Sequence, residues 1–214
     1  MTFHVEHIIK KFFPNKDLDE IFNKFCSLKD FYFKWNENIN ISSIRDEDGF
    51  WLKHIIDGLC LAKYIDDNYK NEEILDVGSG GGFPALVLAI VLDSKVVALE
   101  PLRKKTDFIE YSSIKLGLKN IKIINSKFAN VKESYPIVVS RALGLYDELC
   151  KHFFKQNPET KIIIMTTNKG LKQLSTSHKV VTTQYDYVKS IYPNVLENYV
   201  LCECFSKKPI KTKS

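Results

Sequence analysis

Asp76, Gly78, Gly80 and Gly82 take alternate positions in the stretch ILDVGSGGGFPALVLAI, residues 74–90, and Glu100 follows Gly78 by 22 positions. The apolar residues before the glycines read as a strand and the apolar segment after them as a helix. A glycine at such a turn lets bare backbone approach a ligand. An acid at the end of the next strand can accept hydrogen bonds from both hydroxyls of a ribose. The combination points to a nucleoside-containing ligand. The dinucleotide spacing G-x-G-x-x-G is not kept, because Phe83 stands where its last glycine would fall. Nothing here requires a pyrophosphate, so the residues suit S-adenosylmethionine while a nicotinamide cofactor stays open.

Those residues need elements to hold them. Short apolar strands are predicted at 74–77, 96–99, 121–124, 137–139 and 162–165, separated by helices at 84–92, 103–118 and 145–154. Repeated strand–helix units imply a mostly parallel sheet covered on both faces, with its ligands at the carboxyl ends of the strands. Two further strands, in KVVTTQYDYVKSIY and NYVLCECFSKK, suggest a closing antiparallel hairpin. Before the sheet the chain reads as helical: Leu18, Ile21, Phe22, Phe25 and Leu28 recur at helical spacing after a cap at Asn15 or Asp17, and GFWLKHIIDGLCLAKYI forms a second such segment. The expected organisation is a helical extension over 1–66, a Rossmann-like α/β core over 67–208 and a basic tail over 209–214.

Composition narrows the class. With 44% hydrophobic and 27% charged residues, the 214-residue chain is that of an ordinary globular protein with one sizeable core. Its longest apolar run, 84–92, is far shorter than the roughly 20 residues of a membrane helix, and the first residues lack a signal-peptide core. We expect a cytoplasmic protein without membrane association. Five scattered cysteines do not form a disulfide framework. Cys202 and Cys204 alternate in VLCECF and so face one side of a strand, which favours a core position over a metal pair; no metal is expected. The net charge of +5 suits a polyanionic partner, although codon bias toward lysine would produce the same figure. Arginine is scarce, with Arg45, Arg103 and Arg141 against 28 lysines. An arginine kept in such a chain suggests a need for its planar fork rather than its charge.

The motifs FKWNENINISSIRD, KHIIDG, ILDVGSGGGFPALVLAI, LEPLRKKTDFI, LGLKNIKIINSKF and VVSRALG resemble, in order and spacing, the RsmG (GidB) family of bacterial rRNA guanine-N7 methyltransferases over about residues 30–170. The resemblance implies a class I methyltransferase fold, S-adenosylmethionine as donor, and methylation of a guanine at N7 in the decoding-region loop of 16S rRNA, with the small ribosomal subunit as partner; a monomer is expected. The resemblance places cofactor contacts at Gly78, Phe83, Phe128, Ala129 and Arg141, beside Gly80 and Glu100 from the residue reading. Two departures stand out: SKFAN where the family commonly carries Arg and Glu, and Gly58 where it carries Ser.

Guanine N7 has an in-plane lone pair and no proton, so the attack needs alignment rather than a general base. No catalytic triad is expected. His54 and Asp57, at i and i+3 of one helix, are candidates to position the target nucleotide or to make a helix-packing hydrogen bond. Arg45, Lys53 and Arg141 are candidates for a phosphate or base edge, Arg141 alternatively for an ion pair that ties down its strand. Asn36 and Asn40 are expected to close a turn, and Trp35 to lie in the core. The same residues leave open a nicotinamide-dependent oxidoreductase, a noncatalytic RNA-binding protein and, less in keeping with the basic charge, a small-molecule methyltransferase.

Overall fold

The computed structural model describes residues 2–167, 170, 179–184 and 199–206. Helix α1 (Thr2–Phe12) buries Val5, Ile8, Ile9 and Phe12 at helical spacing. Asp17 then caps α2 (Leu18–Asn36), its carboxylate accepting the Glu20 N–H at 2.9 Å. One face of α2, Ile21, Phe25, Leu28 and Tyr32, is buried. Trp35 is half-buried, its ring against Phe108 and Tyr111, in keeping with the packing role expected of it.

The second helical segment is interrupted. Short α3 (Glu47–Phe50), capped by Asp46, runs into a π-helical turn (Trp51–Ile56) and then α4 (Asp57–Asn68). In the turn the Asp57 N–H reaches back to Leu52 O and His54 O, so Lys53 O loses the donor that an α-helix would supply four residues on.

The sheet comprises β1 (Ile74–Val77), β2 (Val96–Leu99), β3 (Ile121–Ile124), β4 (Ile137–Arg141), β5 (Lys161–Thr167), β6 (Lys179–Gln184) and β7 (Tyr199–Phe205), in the order β3-β2-β1-β4-β5-β7-β6. β1 to β5 are parallel, and β7 runs antiparallel to both β5 and β6. Helices α5 (Ala85–Val91), α6 (Arg103–Lys115) and α7 (Tyr146–Gln156) make the crossovers. The expected parallel strands all form, and the expected closing strands pair with each other.

Strand alternation divides the interior in two. Ile74, Val96, Val139 and Ile163 face α5, α6 and the helices of residues 2–68; Leu75, Val97, Val138 and Ile162 face α7. Cys202 and Cys204 are buried with the α7 side, and all five cysteines are free thiols. Glu203, on the opposite face of β7, accepts hydrogen bonds from the hydroxyls of Tyr64, at 2.6 Å, and Tyr69. No helix among the described residues is long and apolar enough to cross a membrane, and they contain no group of side chains suited to hold a metal. The expected basic tail, 209–214, lies outside the described residues.

Candidate active site

The carboxyl ends of β1 to β5 form one edge, and the residues with chemical potential gather along it. After β1 the chain turns through Gly78 (φ +74°), Gly80 (φ +58°) and Gly82 (φ +82°). A Cβ built on Gly80 would meet only Gly78 O, at 3.9 Å, so the turn presents bare backbone to open space. Gly81 answers a different need: a Cβ there would collide with Ile41 of the loop that follows α2. The glycine run thus has an open side and a packing side.

Glu100, just beyond β2, is only 5% exposed. One of its oxygens accepts the Gly80 N–H at 2.9 Å and the other the Leu102 N–H at 2.9 Å. It therefore fixes the glycine turn, with each oxygen retaining a second lone pair. Asn125, after β3, donates to Glu100 O and Pro101 O and ties the two strand ends together; sequence reasoning passed over it. Phe128 and Ala129 sit in a 3₁₀ turn (Phe128–Asn130), where the Phe128 ring packs toward the α7 core and edge-on to His152 while Ala129 is exposed.

Beneath the turn, Asp76 is fully buried. Its Oδ2 accepts the Ala85 N–H at 3.1 Å, and its Oδ1 has no hydrogen-bond partner among the described residues. Burial pushes its carboxyl up to about 7, against the opposing effects of the nearby Ser79 hydroxyl and the Ala85 N–H. An orphaned buried oxygen beside an open glycine backbone fits a ligand that carries hydrogen-bond donors or positive charge.

Alongside lies a cleft of about 600 Å³, lined by Ser42, Lys53, His54, Arg141, Tyr146 and Thr166 among others. The nucleotide-positioning candidates are deeper than a surface helix face would put them: His54 is 3% exposed and Asp57 not at all. Both touch Arg141 at the end of β4. Arg141 Nη1 donates to Lys53 O and, at 3.2 Å, to Asp57 Oδ2, while Nη2 meets His54 Nδ1 at 3.1 Å. Phe83 stacks its ring on the His54 ring, centroids 4.0 Å apart, so a ligand contact at residue 83 would run through backbone.

Arginine can only donate, so His54 Nδ1 is the acceptor and its proton resides on Nε2, 3.3 Å from Ser42 Oγ. Burial, together with Arg141 and Lys53, holds the His54 pKa well below the ordinary histidine range, which keeps the ring neutral. Ser42 in turn meets Tyr32 Oη at 2.7 Å, and Asn36 accepts the Ile41 and Ser42 N–H groups. Asn36 thus closes the turn expected of it. Arg45 is spent on the same loop, donating to Ser42 O and Asn40 Oδ1, and Lys53 is exposed at the cleft rim.

A parallel five-strand core with an antiparallel hairpin, a glycine turn after β1 and an acid after β2 together define the class I methyltransferase fold. Solved structures share it: a SAM dependent methyltransferase from Aquifex aeolicus superposes with a TM-score of 0.54 at 15% identity, covering 77% of this chain and 96% of that one. The tRNA (m1A58) methyltransferase TrmI from Aquifex aeolicus gives 0.54 at 14% identity, over 71% and 69%. Within that class the chain belongs to the GidB family, rRNA small subunit methyltransferase G, whose profile matches residues 21–198. Relatives named ribosomal RNA small subunit methyltransferase G are 37% identical over 152 residues in Staphylococcus carnosus, covering 66% of this chain and 62% of that protein, and 36% identical over 134 residues in Hydrogenovibrio crunogenus, covering 61% and 60%. The chain spans about 60% of the length of these curated relatives.

Proposed function

We propose that the protein transfers the methyl group of S-adenosylmethionine to N7 of a guanine in the decoding-region loop of 16S rRNA, acting as a cytoplasmic monomer on the small ribosomal subunit. The observation that carries this reading is the pairing of an open Gly80 backbone with buried Glu100 on the same strand edge as the cleft. Gly78, Gly80, Phe83, Glu100, Phe128 and Ala129 would hold the donor, mostly through backbone groups, with Arg141 at its far end. The donor supplies an electrophilic methyl group. The chain contributes position: a polar edge that orients the donor and a cleft deep enough for one extruded base, with no proton to remove from N7. Positive charge moves onto the guanine ring as the methyl group transfers, so a free cation against that ring would oppose the reaction. The Arg141 charge is offset by Asp57, 3.2 Å away.

In this reading the catalytic core begins near residue 67, and the extension over 1–66 builds one wall of the cleft through Ser42, Lys53 and His54. Family membership leaves the oxidoreductase alternative without support. The deciding experiment maps 7-methylguanine in small-subunit rRNA from cells with and without the protein: one site should disappear, and an unchanged map would remove the proposal.

A further inference from the structure

Arg141 has five N–H groups. Both on Nη1 and one on Nη2 are occupied by Lys53 O, Asp57 and His54, which leaves the Nε–H and one Nη2–H on neighbouring nitrogens with no described partner. The side chain lines the cleft and is 20% exposed, whereas the Asp57 side chain is buried. All three anchors come from the helical extension, 84 to 88 residues earlier in the chain. Each is prepared for the task. The π-helical turn takes the Asp57 N–H away from Lys53 O, and that carbonyl accepts from Arg141 Nη1. Stacking on Phe83 and the hydrogen bond to Ser42 fix the plane and tautomer of His54. Asp57 supplies the charge that a half-buried guanidinium requires.

We propose that His54 and Asp57 are positioning residues for Arg141: they orient its guanidinium so that the two remaining N–H groups take a planar, two-acceptor group, the carboxylate of the methyl donor. The inference rests on the reading of this edge as the donor site. The competing two-acceptor group is the O6/N7 edge of guanine. It is excluded because a hydrogen bond at N7 would occupy the lone pair that must attack. A guanidinium held at three points loses little freedom on gripping a carboxylate, whereas a free side chain must first be ordered.

The test measures S-adenosylmethionine affinity by calorimetry, and KM and kcat on small subunits, for Asp57→Asn, His54→Leu and His54→Asn, each alone and combined with Arg141→Lys. Asp57→Asn and His54→Leu should each weaken donor binding and raise its KM by about tenfold, the scale of one charge-assisted hydrogen bond, with kcat at saturating donor retained. His54→Asn should preserve affinity, since an amide oxygen can stand where Nδ1 accepts. In the Arg141→Lys background none of the three should matter further. Losses that add to that of Arg141→Lys, or a His54→Asn as weak as His54→Leu, would overturn the positioning role while leaving the methyltransferase reading intact. A wild-type protein that binds no S-adenosylmethionine would overturn both.

Discussion

Glu100 holds the glycine turn and, in the proposed function, the donor as well. Glu100→Gln keeps its size but places an amide N–H₂ opposite either the Gly80 or the Leu102 N–H. Donor affinity should fall by roughly 1–3 kcal/mol, the worth of a hydrogen bond to a charged acceptor, while turnover at saturating donor survives. Calorimetry beside saturation kinetics checks this, and lost turnover with intact affinity would make Glu100 a participant in the chemistry. Asp76 makes a separate prediction. Its carboxyl titrates near 7 in the folded protein against 3.8 for the free side chain. The folded state therefore holds the proton more tightly than the unfolded state. Its contribution to stability is full below about pH 3.8, declines as pH rises toward 7, and is level above that. Relative to Asp76→Asn, the wild type should lose on the order of 2 kcal/mol between about pH 5.5 and 8, read from urea midpoints. Two parallel curves would contradict the raised pKa.

Helix α4 meets α5 at Gly58, where a Cβ would lie 2.9 Å from Val87 Cβ. Gly58 is therefore matched to a β-branched neighbour rather than being a neutral departure from the family's Ser. Gly58→Ser should cost about 1–3 kcal/mol through overpacking, seen as a lower thermal midpoint that Val87→Ala partly restores. The elements themselves were legible in the sequence, because apolar runs of strand and helix length alternate clearly and the glycine turn sits where that alternation demands. The π-helical turn was not: WLKHII has the same apolar spacing in either helix type, and only the withdrawn carbonyl partner of Lys53 distinguishes them. Nor does spacing tell that Arg141 meets His54 and Asp57, since the contact joins residues 84 to 87 positions apart in the chain. Each residue was legible as a candidate; their mutual contact is a tertiary fact.

At the scale of the molecule, the extension and the sheet share one core, with Val5, Phe25, Trp51, Ile74, Val139 and Ile163 in a single cluster. A helical module with its own core would unfold separately. A shared core should instead give one cooperative transition. Both tryptophans, Trp35 and Trp51, belong to the extension, so their fluorescence reports on it while far-ultraviolet dichroism is weighted to all the helices and the sheet. The two signals should change at the same denaturant concentration; two separated midpoints would show that the extension is an independent unit.

The sheet order also has a temporal side. β7 is the last of the described strands in sequence, yet it lies between β5 and β6. As the polypeptide emerges during synthesis, β5 and β6 are both available before the strand that joins them. For that interval β5 exposes the backbone from Lys161 to Thr167 as an unpaired edge, the kind of surface on which nascent chains associate wrongly. Arrival of residues 199–205 covers that edge and takes β6 onto the other side of β7.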